Sequence, residues 1–437
     1  MGDIAWLPGQ TDRVSTVQSC EVLVIGGGPA GATAGNLLAQ AGRSVIVLEK
    51  DRFPRFHIGE SLLPFNVALL DDLGVRAEVE CMGAVPKHGA RFLTGDGRHV
   101  NTVYFRDGLD PCPPVTYQVL RSRFDEVLLD GCARRGADVR QGHAAVAAER
   151  ADGAWQVRVA APDHGYAIAC PFVIDASGRD TFMASRNRSK EMSAKHRRVA
   201  IYAHFTGVLL DPGIDAGNTV VVALRNGWFW VIPVGGETES VGLVVDGASY
   251  RESRLDPEQA LLAAMRSCPE LRRRTEHAHR VSPVHSTSNY SYASASPVGA
   301  GYVAAGDAYA FLDPIFSSGV WLAMLGGRSA ARVVDRCLAE PRRANALLAQ
   351  HAREVERASR RYFRFVDYFY KPEFLDVFMQ PTDRLSLRAA INSVLAGNVS
   401  PRLGLRLRLA LFFLAVRLQR HLPLRRPLER SAVFAAG

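Results

Sequence analysis

Glu21-Val22-Leu23-Val24-Ile25-Gly26-Gly27-Gly28-Pro29-Ala30-Gly31 runs into a helical pattern that ends near Ala41, and Ser44 to Leu48 then closes on Glu49. The continuous apolar run before Gly26 reads as a buried strand, and the change to helical spacing after Gly28 makes the stretch a β-α-β unit. Gly26, Gly28 and Gly31 fit G-x-G-x-x-G between that strand and that helix. Glycines there permit a tight turn, close approach of backbone to a pyrophosphate and close helix packing, while the helix amino terminus faces the phosphates. Glu49, with Lys50 beside it, stands at the distance where an acid accepts from a ribose hydroxyl. The expectation is an α/β dinucleotide-binding fold with Gly26, Gly28, Ala30, Gly31, Glu49 and Lys50 on the cofactor.

Two later segments repeat the theme. Pro171-Phe172-Val173-Ile174-Asp175-Ala176-Ser177-Gly178-Arg179 is another strand running into a small-residue turn. It resembles the D-x-x-G-x motif of flavoproteins with two dinucleotide-binding domains, which implies Asp175 and Gly178 at FAD. Tyr302-Val303-Ala304-Ala305-Gly306-Asp307-Ala308 resembles the G-D motif of the same proteins, and the resemblance implies that Asp307 holds the ribityl chain. Tyr117 to Asp125 is similar to their segment that opens a helix near the cofactor, with Arg121 at the usual arginine. A helix beginning near Ser317 would direct its partial positive end at the flavin pyrimidine and favour an anionic reduced ring. The order of these segments implies the p-hydroxybenzoate hydroxylase/glutathione reductase type of fold. No second nucleotide fingerprint is present, so reducing equivalents are expected from a separate flavin reductase.

Asn226-Gly227-Trp228-Phe229-Trp230-Val231-Ile232-Pro233 contains W-x-W-x-I-P. Alternation of Trp228, Trp230 and Ile232 on one strand face is ordinary core packing when taken alone. Together with Pro233, however, it resembles the signature of flavin-dependent halogenases, and Gly59-Glu60-Ser61-Leu62-Leu63-Pro64 and Phe311 to Val320 agree with that family. The similarity covers most of the chain and leans toward halogenases of phenols, pyrroles and carrier-tethered acyl groups.

The resemblance implies chlorination or bromination of an electron-rich aromatic or polyene substrate by reduced FAD and O2, through a flavin C4a-hydroperoxide and hypohalous acid. Lys87, in Val85-Pro86-Lys87-His88-Gly89, then matches the family's essential lysine, which captures or activates hypohalous acid. Without the resemblance, a lysine in a Pro/Gly turn reads as solvated surface. The resemblance also implies amides of Ser318 and Gly319 at a halide, Pro314 and Gly319 beside the flavin, and Asp313 as the candidate for the covalent flavin link of one branch. The glutamate that works beside the lysine in tryptophan halogenases has no motif-level counterpart, and Glu60 is a candidate only by its place in the G-E-S segment. Tyr362, Phe363, Phe365, Tyr368, Phe369, Tyr370, Phe374 and Phe378 read either as the aromatic cover of a substrate pocket or as core. The alternative enzyme is a reductase or hydroxylase of the same superfamily, geranylgeranyl reductase-like, in which Lys87 and the tryptophans only pack.

With 437 residues and 47% hydrophobic content the chain is long enough for two or three lobes. The expected division is a discontinuous FAD-binding domain at 20–190 and 281–338, with part of 81–118 near the substrate side. A β-rich substrate-side region follows at 191–280, and a helical region at 339–437. Seven cysteines without a C-x-x-C pair fit neither a disulfide framework nor a metal site, and no basic-then-apolar leader is read, so the expected location is cytoplasmic. The formal charge of +9 meets no nucleic-acid motif, but it suits an acidic acyl carrier protein. From Pro401 onward leucines alternate with arginines: Leu403, Leu407, Leu411, Leu414 and Leu418 share one helical face and Arg406, Arg417 and Arg420 another. The plain reading is a terminal helix docked on the core with a solvated basic edge. Peripheral contact with the inner membrane face or with an acidic protein is the other, and a catalytically silent flavoprotein attached in that way is the third functional reading.

Overall fold

The computed structural model describes residues 17–434 apart from 194, 312, 382, 383 and 399–401, and it is built on the α/β plan. Val22–Ile25 is buried at every position. It lies inside a six-stranded sheet ordered Val298–Gly299, Tyr302–Ala304, Phe172–Asp175, Val22–Ile25, Val45–Glu49, Asp138–Gln141. All neighbours are parallel except the Val298–Gly299 hairpin arm. Strand alternation divides the two cores. Val22 and Val24 pack with Leu38, Leu128 and Met324 of helices Pro29–Gln40, Arg121–Arg134 and Gly319–Ala339. Leu23 and Ile25 pack with Trp155, Val157 and Ile168 of a sheet formed by Ala144–Ala151, Ala154–Ala160, Gly165–Cys170 and Val17–Ser19. The carboxyl ends of the parallel strands therefore open on one crevice, where open α/β sheets bind ligands.

A second sheet follows the order His279–Arg280, Arg198–Thr206, Thr238–Asp246, Gly227–Gly235, Thr219–Ala223, Gly89–Thr94, Val100–Tyr104, with His285–Ser288 also on Arg198–Thr206. Its alternation again separates two faces. Phe229, Val231, Val241 and Leu243 meet the helices Pro257–Ser267 and Pro269–Arg274, while Trp228, Trp230, Ile232 and Val244 meet the C-terminal helices. Trp230 lies over Gly242, where a Cβ would come within 2.1 Å of the indole.

After Asp246 the chain turns helical in Gly247–Ser253, Pro257–Ser267 and Pro269–Arg274. The reason is local capping. Asp246 accepts from the amides of Ala248 and Ser249, and Asp256 accepts from the Gln259 amide with Pro257 opening the helix.

Ala344–Phe369 packs on Gly319–Ala339, and Leu403–Gln419 lies across Pro372–Phe378 and Leu387–Leu395. The terminal helix docks through Leu405, Phe412, Phe413 and Val416, whereas the five leucines of the predicted apolar face point to solvent. Pro401 lies outside the described residues. Among the described residues no helix is long and apolar enough to cross a membrane.

Candidate active site

The crevice is a cavity of about 640 Å³ whose walls come from both sheets and from the helices that follow residue 318. At its nucleotide end Gly26 has φ +102°, and a Cβ there would lie 2.3 Å from the Ala176 carbonyl oxygen; one on Gly31 would lie 1.8 Å from the Gly26 oxygen. Only glycine satisfies that turn. The helix Pro29–Gln40 then presents unsatisfied amides, and Gly26, Gly28 and Ala30 line the cavity. Glu49 is buried and accepts from the Gly27 amide at 2.8 Å and the Asp51 amide at 2.9 Å, one on each oxygen, so each retains an accepting position. Lys50 pairs with Asp180 at 2.5 Å on the rim. Arg55, which the sequence reading missed, also lines this end and is anchored on Asp125 at 3.2 Å.

Arg121 is buried and engaged on every side. It holds both oxygens of Asp125 at 2.7 and 2.9 Å and the carbonyls of Ile58 and Gly59 at 2.8 and 3.2 Å. It therefore ties the 56–60 loop to the helix Arg121–Arg134. Asp175 does not line the cavity; its oxygens accept from Ser177 and from the Met183 amide, which fixes the turn that carries Gly178 to the wall. Asp307 does line it, and among the described residues its carboxylate meets no protein donor. Burial pushes this carboxyl up to about 6, against the opposing pull of Arg121 and Arg179.

Pro314, Ser318 and Gly319 lie together on the wall at the start of Gly319–Ala339, and a Cβ on Gly319 would meet open space. Asp313 caps the Pro314–Phe316 turn by accepting from the Ile315 amide at 3.2 Å. Its other oxygen accepts from Tyr370 at 2.5 Å and Tyr290 at 3.4 Å. Trp228 in turn donates to the Tyr370 hydroxyl at 2.9 Å, and the Arg198 guanidinium lies 3.6 Å from that ring's centre. Burial raises the carboxyl of Asp313.

Lys87 is 1% exposed, which departs from the solvated lysine that composition alone suggests. Its Nζ donates to Ser61 Oγ at 2.7 Å and to the Leu62 carbonyl at 3.0 Å, and it sits 5.3 Å from the centre of the Phe105 ring. Among the described residues no carboxylate compensates its charge, and burial lowers the amine to about 7. Ser61 and Thr219, whose hydroxyls are 2.9 Å apart, form the cavity wall in front of it. Glu60 lies next to them on the same wall. One carboxylate oxygen takes a hydrogen bond from His204 at 2.6 Å, and the other is buried without a partner among the described residues. Burial opposes protonation of His204, but Glu60 prevails and the imidazole is raised. Trp228, Trp230, Ile232 and Tyr202 complete this side, with Phe56 stacked 4.3 Å from His285 near them; Pro233 does not reach the cavity.

Among the described residues of the aromatic stretch that opens at Tyr362, only Phe363 lines the cavity. Phe365, Phe369, Phe374 and Phe378 belong to the hydrophobic core, the second of the two readings of that stretch. His204 escaped the sequence reading, and Tyr370 entered it only as one of an aromatic stripe, because their partners, Glu60 and Asp313, are distant in the chain.

Residues 19–362 match the family described as FAD binding domain. A 1H-pyrrole-2-carbonyl peptidyl-carrier-protein brominase of Pseudoalteromonas luteoviolacea is 32% identical over 329 residues, covering 74% of this chain and 79% of that protein. A 1H-pyrrole-2-carbonyl peptidyl-carrier-protein chlorinase of Pseudomonas fluorescens is 27% identical over 394 residues, 84% and 87% of the two chains. Among solved structures, the flavin-dependent brominase Bmp2 superposes with a TM-score of 0.83 at 27% identity, over 92% of this chain and 100% of that one.

Proposed function

This chain belongs to the flavin-dependent halogenases within the FAD binding domain family, and from that membership we propose that it installs chloride or bromide on an electron-rich aromatic or polyene group carried by an acyl carrier protein. The observation that carries the proposal is Lys87, an uncompensated buried amine placed one serine hydroxyl behind the cavity wall.

The residues present suit FAD. Asp307 offers a carboxylate without a protein donor to the ribityl hydroxyls, Glu49 keeps accepting positions for a ribose, and Gly26, Gly28, Gly178 and Gly319 leave the backbone approachable. Arg55 and the Pro29–Gln40 amides supply positive potential for the pyrophosphate. When bound and reduced by a separate flavin reductase, FAD supplies with O2 the two-electron oxidation that makes halide electrophilic.

The remaining work falls to the chain. Amides at Ser318 and Gly319, in the first turn of their helix, are the place for halide. Trp228 and Trp230, buried with edges on the cavity wall, are the bulk we assign to keep substrate and water from the oxidant. An amine near 7 is substantially neutral at physiological pH, so Lys87 has a lone pair to receive the electrophilic halogen from hypohalous acid, with Ser61 as the group it must displace or act through. The N–halogen bond forms as the halogen–oxygen bond breaks and water leaves. Substitution on the ring then breaks the N–halogen bond, forms a carbon–halogen bond, returns a proton to the amine and releases the ring proton. Glu60, held by His204 and with one oxygen unpaired, is the group we assign to take it. Asp313 caps the Pro314–Phe316 turn and accepts from Tyr370 and Tyr290, which favours a structural role over a covalent flavin link. What supports a carrier is that two relatives are named for carrier-bound pyrrole, together with the net charge of +9.

The test combines purified protein, a flavin reductase, NADH, O2, bromide or chloride and a pyrrolyl carrier protein, with mass spectrometry of the acyl group. Wild type should add halogen and Lys87→Ala should not, while both retain FAD. Halogenation by Lys87→Ala would overturn the role of the lysine.

A further inference from the structure

The helix Leu403–Gln419 is apolar on two opposite sides, and among the described residues only one of them is covered. Its docked side places Phe413 at 4.9 Å from Phe365 and Phe412 at 5.6 Å from Phe374 between ring centres. At 100° per residue, Leu403, Leu407, Leu411, Leu414 and Leu418 fall within about 80° of one another on the far side. Their exposures are 70, 59, 43, 46 and 39%, and Leu422 and Leu424, just past the helix, are exposed at 56 and 48%. Scattered single leucines on a surface are ordinary, but a row of this length is not.

The border of the row is basic. Arg406, Arg417 and Arg420 project along one flank by helical spacing and Arg408 along the other. From Arg402 to Leu428 the sequence contains seven arginines and no aspartate or glutamate. Arg406 and Arg420 are exposed, while Arg408 and Arg417 make hydrogen bonds to the Leu385 carbonyl and the Tyr368 hydroxyl.

We propose that this face rests on an anionic lipid surface, with the leucines at the headgroup–acyl boundary and the flanking arginines on headgroup phosphates. A convex leucine ridge presents neither a recess nor a polar side chain to specify a protein partner. A fluid interface accepts leucines in any register, and anionic lipids reward each basic flank. The helix is too short and too charged to insert across a bilayer, so it lies in the plane.

The experiment is co-sedimentation of the full-length, flavin-loaded protein with vesicles of phosphatidylcholine alone or with phosphatidylglycerol added. Binding should appear with the anionic vesicles and weaken about tenfold with neutral vesicles or in about 0.5 M salt. Leu407→Asp/Leu411→Asp/Leu414→Asp should weaken it at least about tenfold while preserving the thermal midpoint and bound flavin, because these side chains touch solvent. Arg406→Gln/Arg420→Gln should reduce only the anionic component. The proposal is overturned if anionic vesicles are not bound at low salt, or if the triple leucine variant binds them as wild type does. It is equally overturned if the triple variant dissociates a dimer, or loses only carrier-bound substrates, with no vesicle binding in wild type.

Discussion

Lys87→Met should stabilise the protein while abolishing its chemistry. The native amine has fallen from an ordinary 10.5 to about 7, with burial as the cause. At about 1.36 kcal/mol per pH unit, keeping an ammonium in that position costs about 5 kcal/mol relative to the unfolded chain. Because the native state releases its proton at lower pH than the unfolded state, the unfolded chain binds more protons between about 7 and 10.5, and stability rises with pH across that window. The penalty is complete below about pH 7 and disappears as pH approaches 10.5. Methionine fills much of the same volume without the charge, but it forfeits the bonds to Ser61 and Leu62, each worth about 1 kcal/mol. A net gain of about 3 kcal/mol at and below pH 6.5 follows, and the advantage of the variant should shrink by about 3 kcal/mol between pH 6.5 and 9.5. Urea unfolding of flavin-loaded protein, followed by tryptophan fluorescence at both pH values, measures it. A variant less stable than wild type at the lower pH, or an advantage that does not change with pH, would refute the picture of an uncompensated buried amine.

Other consequences concern the cradle and the proton acceptor. Glu60→Gln should lower halogenation by about a hundredfold or more with FAD retained. It should also release His204 from its partner, so that NMR titration finds the imidazole at a lower pKa; an unmoved titration would contradict the pair. Gly26→Ala combines a positive φ with a 2.3 Å approach to the Ala176 oxygen, and should yield folded protein that purifies without flavin; normal flavin content would dismiss that constraint. Wild type denatured in acid should release all its FAD, and flavin remaining on the peptide that contains Asp313 would restore the covalent link.

The cofactor end was legible because its chemistry is contiguous: the glycine turn, Glu49 and the Asp307 segment each read within a few residues. Lys87 was found through resemblance, since nothing local announces that a lysine between proline and glycine becomes buried behind Ser61. The Glu60–His204 and Asp313–Tyr370 pairs join separate strands and helices, and no local period encodes them. Periodicity located the leucine face of the terminal helix correctly but could not say which of two apolar sides the core would take. Phe412, Phe413 and Val416 won because they meet the aromatic cluster of Phe365 and Phe374. The same cluster explains why the density of aromatics after Tyr362 marks core and not a substrate pocket.

Halide dependence tests the central claim most directly. With reduced flavin, O2 and a pyrrolyl carrier protein, the mass of the acyl group should carry the bromine isotope doublet when bromide is present and remain unchanged when halide is omitted. An oxygenated or reduced product formed equally well without halide would contradict the halogenase account.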